Sequence, residues 1–121
     1  MARKKTSTWA VLRAYALSLP GATEDFPWGE TVVKVNKKIF VFLGVDGGEQ
    51  PRISIKLAES CDFALAVPGS SPTGYGLGRA GWVTIPVGAN APPLGILKDW
   101  IAESYRLVAP KRLLARVRPE R

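Results

Sequence analysis

The sequence predicts an α+β domain, an antiparallel sheet with helices packed on one face. Three observations carry that expectation. Apolar residues recur at helical spacing near both ends of the chain. In the middle, three short runs rich in β-branched and aromatic residues are separated by turn signals, and a fourth such run precedes the last long helix. Hairpin-length connections between strands force antiparallel pairing, which separates α+β from α/β.

The first helix is predicted over residues 8–18, with Ser7 as its cap and Trp9, Leu12, Ala16 and Leu19 on one stripe, widened by Val11 and Tyr15. Pro20-Gly21 stops it. Residues 22–30, ATEDFPWGE, read as a loop around Pro27. TVVKV and KIFVFLGV then form two strands joined at Asn36-Lys37, a tight turn, and DGGEQP makes a second turn. RISIKLA alternates cleanly, with Ile53, Ile55 and Leu57 inward and Arg52, Ser54 and Lys56 outward. These three strands make a meander. Residues 59–67 read as a short helix, and 68–81 as a long loop too dense in Pro and Gly for a regular element. WVTIPV is the fourth strand, and its Pro86 places it at an edge or a strand end. A helix follows over residues 94–109, with Leu94, Leu97, Ile101 and Val108 among its apolar positions, and Pro110 opens a short basic helix, PKRLLARV. The order is α-β-β-β-α-β-α, closed by that short helix.

At 121 residues the expected organisation is a single domain over residues 1–121, with a flexible basic arm at 1–6 and a flexible tail at 118–121. No apolar run approaches the roughly 20 residues that span a bilayer, and the start, MARKKTSTW, has no apolar segment of a secretory signal. A lone Cys61 has no internal disulfide partner, which fits a reducing compartment, so a cytoplasmic protein is expected. The chain has no histidine. That removes Ser-His-Asp and Cys-His catalysis, His-ligated zinc and the commonest general base near neutral pH. No metal, nucleotide or other cofactor is expected.

The net charge of +7 is concentrated at the termini. Residues 1–13 carry +4 and residues 106–121 carry +5, while residues 14–105 hold seven basic against nine acidic side chains. A basic chain invites a polyanionic partner, and here the invitation comes mainly from the ends.

One motif tests that inference. Residues 74–82 read GYGLGRAGW, in which Gly76, Gly78 and Gly81 spell the G-x-G-x-x-G string of phosphate-binding loops. A dinucleotide fingerprint follows a strand and opens a helix; here a loop precedes and a strand follows. The H-R-D and D-F-G strings of a kinase and the Walker A string are all missing. The glycines are expected to let a loop turn and approach other backbone closely.

Several strings together resemble the MmcQ/YjbR family: LPGATEDFPWGETVVKV (19–35), KKIFVFL (37–43), ISIKL (53–57), GLGRAGWVTI (76–85) and LKDWIAESYRLVAPKRL (97–113). The resemblance implies a frataxin-like, CyaY-like fold and a DNA-binding domain of the "double wing" kind. Many relatives place a histidine just before the tryptophan at position 82; Gly81 stands there in this chain, so a role resting on that histidine is absent. A frataxin-like fold also raises iron binding, which needs clustered oxygen ligands, and the predicted first helix contains no Asp or Glu.

The expected function is therefore weak, sequence-tolerant binding of double-stranded DNA by a non-enzymatic protein. Phosphate contacts would come from Lys34, Lys37 and Lys38 around the first hairpin, Arg52 and Lys56 on the sheet, Arg79 in the glycine loop, and Lys111, Arg112 and Arg116 near the C-terminus. The alternative is a protein-interaction or scaffold domain, with Trp28, Tyr75 and Trp82 as anchors. A catalytic reading would use Glu24, Asp25 and Glu30 as acid or base, yet no nucleophile accompanies them, and capping or turn chemistry accounts for the pair. No membrane role is expected, because two helical turns of PKRLLARV bury too little apolar area. Oligomeric state stays open.

Overall fold

A computed structural model describes residues 8–44, 51–74, 77–87 and 91–114. It is an α+β fold: a sheet of six antiparallel strands with the helices gathered on one face. The helices are α1 (Thr8–Leu17), α2 (Cys61–Leu65), α3 (Leu94–Val108) and α4 (Lys111–Leu114). The strands are β1 (Ala22–Asp25), β2 (Thr31–Val35), β3 (Lys38–Gly44), β4 (Arg52–Lys56), β5 (Ser71–Pro72) and β6 (Trp82–Pro86), arranged β1-β2-β3-β4-β6-β5.

The predicted meander is β2-β3-β4. Its first turn holds Asn36 at φ 51° and Lys37 at φ 69°. Two successive residues in the left-handed region mark a type I′ connection, whose twist suits a two-residue hairpin. Asn tolerates that region better than most residues, and Lys37 is carried there by the closure. Two irregularities follow in the β2–β3 register, where Lys34 pairs with Ile39 but Val33 with Val41, and Val32 with Phe42 but Thr31 with Gly44. Phe40 and Leu43 are the extra residues of these bulges. Both are buried, so β3 delivers Phe40, Val41 and Leu43 to the core. Strict alternation would have supplied fewer.

The core lies between sheet and helices. Val33, Val41, Ile55 and Val83 are successive cross-strand partners under α1 and α3. Phe40 meets Tyr105 of α3 edge-on, with ring centroids 5.3 Å apart. The Tyr105 hydroxyl donates to the Pro20 carbonyl at 2.6 Å, tying α3 to the turn after α1. On the other face Ser54, Thr84 and Thr73 form a hydroxyl row, with O···O distances of 2.8 and 2.9 Å.

Two stretches predicted as loops contain strands. ATEDFPWGE forms β1 and a 3-10 turn, Pro27–Gly29. The two carboxylates of β1 are accommodated because each meets a cation. Arg13 of α1 donates to Glu24 through Nε and Nη2, and Lys34 of β2 reaches Asp25 at 2.7 Å. The 68–81 stretch contains β5 and a 3-10 turn, Leu77–Ala80. Gly81 ends that turn at φ +97°, and a Cβ built on it would lie 2.3 Å from the Leu57 carbonyl oxygen. At Gly78 a Cβ would meet Pro72 Cβ at 2.8 Å. Both glycines admit close backbone approach, the plain role expected of them; Gly76 lies outside the described residues. A histidine at 81 would collide with the same oxygen.

Candidate functional site

The antiparallel register decides which cations meet. Val35 ends β2 opposite Lys38, and Lys56 ends β4 opposite Trp82. The Asn36-Lys37 turn, Lys38, Lys56 and the start of β6 therefore share one end of the sheet, and Arg79 lies just before β6 at that end. The last turn of α3 arrives at the same place, because Leu107 and Val108 border Lys38, Lys56 and Trp82. Arg106 is in that turn and exposed. After Pro110, α4 docks through Leu113, whose Cδ1 would touch a Cβ at Gly21, a position also facing Val35. Exposed Lys111 and Arg112 are thus carried back to the hairpin end. Lys37, Lys38, Lys56, Arg79, Arg106, Lys111 and Arg112 form a basic end.

The remaining candidates fall elsewhere. Lys34 lies one residue from the hairpin tip, yet its ammonium is ion-paired with Asp25 on the open face. Its partner's carboxyl is held below the usual range, by Lys34 first and then by the Phe26 N–H. Arg52 begins β4 opposite Pro86, about 13 Å along the strand from Lys56. Arg116 and Tyr75 lie outside the described residues, as do Asp46 and Glu49, the carboxylates near the second turn. Trp82 is 8% exposed and edge-on to Phe42 at 5.3 Å, so it is a packing residue more than an accessible anchor. Nothing is described of the Trp28 side chain. Arg106 was not among the sequence candidates. Its position in the last helical turn was legible, but the arrival of that turn beside the hairpin was not.

Several carboxylates that could neutralise the basic end are occupied. Glu103 turns inward: Oε2 accepts from the Ala58 and Ser60 N–H groups at 2.8 and 3.2 Å, and Oε1 accepts from the Ser60 hydroxyl at 2.7 Å. Burial pushes its carboxyl up, but those three donations, aided by Arg106, hold it below the usual range. Glu24 is held down chiefly by its hydrogen bonds with Arg13. Glu59 and Asp62 stay exposed on the α2 side and bound the positive surface there.

Beside Lys56 the sheet is split. The β3–β4 pairing comprises Val41 with Ile55 and Phe42 with Ser54. The next rung is replaced by Ser104, a buried α3 residue whose hydroxyl donates to the Phe40 carbonyl at 2.5 Å and accepts from the Lys56 N–H at 3.0 Å. Next to this bridge opens a cleft of ≈ 200 Å³ lined by Lys38, Ile39, Lys56, Trp82, Leu107 and Val108. Among the described residues no group of three or more His, Cys, Asp or Glu could hold a metal ion, and no helix is long and apolar enough to cross a membrane.

Comparison with known proteins adds two matches. A crystal structure of a protein from Pseudomonas syringae superposes with a TM-score of 0.59 and 21% sequence identity, over 78% of this chain and 93% of that one. At that identity the likeness is one of fold. No significant match was found among curated proteins. The family model described as YjbR matches residues 17–107, from the last residue of α1 almost to the end of α3 and including the whole sheet; the chain belongs to the YjbR family.

Proposed function

We propose that the protein binds double-stranded DNA weakly and with little sequence preference, through phosphate contacts made by its basic end. The observation that supports this most is the convergence of seven cations from five elements on one end of the sheet. Clustered lysines and arginines release counterions from a duplex, and that release is independent of sequence. The hairpin tip is the protruding part. Its I′ turn holds Lys37 on a two-residue loop and Lys38 at the start of β3, so little ordering entropy is lost when phosphates approach. Binding of this kind requires no catalysis and no cofactor.

The test is a duplex-DNA titration at two salt concentrations, using the intact chain, a chain limited to residues 8–114, and a Lys37→Gln/Lys38→Gln variant. The cut falls after residue 114 because Leu113 and Leu114 pack against the core. The shortened chain should keep measurable binding. The double variant should bind more weakly at both salts, with the log–log salt slope flattened by about 1 for each lysine removed. No binding by the intact chain at low salt sinks the reading. Binding lost wholly with the termini reduces it to attraction by the arms.

A further inference from the structure

The split beside Ser104 leaves a concavity between two lysines of the basic end. Its lining combines two lysines, Lys38 and Lys56, with the apolar residues Ile39, Leu107, Val108 and Trp82. Leu107 is 43% exposed, an aliphatic surface open to water beside two charges. Like charges facing one concavity favour an anion between them. One bland role for the lysines is to meet the C-terminal end of α3, but that end carries only roughly half a negative charge against two full positive ones. Glu103, a nearby carboxylate on α3, is spent on Ala58 and Ser60. The ligand should therefore join an anionic group to an apolar body. At ≈ 200 Å³ the cleft falls below the roughly 300–1,000 Å³ of pockets that enclose drug-sized molecules or cofactors. It suits part of one nucleotide, the rest lying in solvent, and not a base pair.

We infer that this cleft is a subsite for one unpaired nucleotide at the end of a DNA strand, with its phosphate between Lys38 and Lys56 and its base against Ile39, Leu107 and the small exposed part of Trp82. The inference rests on the DNA-binding reading above and goes further, to a preference for strand ends over duplex interior.

The experiment compares three DNAs of equal duplex length by titration with the intact chain: a blunt duplex, one with a two-nucleotide overhang, and one whose overhang is abasic. The base-bearing overhang should bind about fivefold tighter or more than either other DNA, the lower range for one base packed on an aromatic side chain. Leu107→Trp fills the cleft without changing charge and should abolish the preference while leaving blunt-duplex affinity unchanged. Leu107→Glu, which sets a carboxylate against both lysines, should abolish it as well. Both substitutions are at an exposed helical position, and thermal unfolding checks that the fold is kept. Equal affinity for all three DNAs overturns the inference and leaves duplex binding standing. An abasic overhang as good as the base-bearing one, or a preference that survives both Leu107 variants, also overturns it. Failure to bind any of the three removes both readings.

Discussion

An alanine at position 81 would have to hold a φ of +97° with its methyl group 2.3 Å from the Leu57 carbonyl oxygen. Strained backbone of that kind costs about 1–3 kcal/mol before the collision is counted. Gly81→Ala should therefore lose at least about 2 kcal/mol of stability in chemical denaturation. Wild-type stability in that variant would mean the turn can move away from Leu57. Ser104 poses the opposite problem, because its side chain is needed and not its absence. Removing the hydroxyl strands the Phe40 carbonyl and the Lys56 N–H where the ladder is already interrupted. Leaving a buried polar group unpaired costs about 1–3 kcal/mol, so Ser104→Ala should destabilise by about 2 kcal/mol. Faster hydrogen exchange at the Lys56 amide would report the same lost contact.

At the scale of elements, α3 is fastened to the start of α2 by Glu103. Its carboxyl is depressed in the folded chain, as are those of Glu24 and Asp25. A depressed carboxyl contributes stability above its unfolded value, and that contribution is lost as pH falls through the folded value. Stability should be level from neutral pH down to the ordinary glutamate value of 4.5 and decline below it. Glu103→Gln should lower the plateau and make the acid decline shallower, as read by denaturant midpoints across pH. An unchanged acid decline would show that the inward-turned carboxylate is not responsible. The long elements were legible in the sequence: α1, α3 and β4 through the period of a buried face, and β2, β3 and β6 through their β-branched and aromatic content. β1 was not, since Ala22–Asp25 carries two carboxylates that become strand residues only after Arg13 and Lys34 arrive from other elements. β5 was not either, because two residues have no period.

For the whole molecule, the distribution of charge matters more than its total. Binding should follow the geometry of the basic end: neutralising Lys56 or Arg79 should weaken duplex affinity and flatten the salt slope, whereas Arg52→Gln, at the far end of β4, should leave both nearly unchanged. An equal effect at Arg52 would point to diffuse attraction over the surface. The hairpin lysines could be read from the Asn36-Lys37 turn alone. Their union with Arg106, Lys111 and Arg112 could not, because it depends on Leu113 folding α4 back over Gly21 and Val35. The pairing of Lys34 with Asp25 likewise follows from β1, the strand the sequence concealed. The borders of the sheet carry one more consequence. One outer strand is four residues long and bears Glu24 and Asp25; the other is two residues long and ends in Pro72. Short, charged or proline-ended margins are poor templates for a stranger's backbone. Copies of a protein finished in this way can be crowded together without their sheets zipping into fibrils.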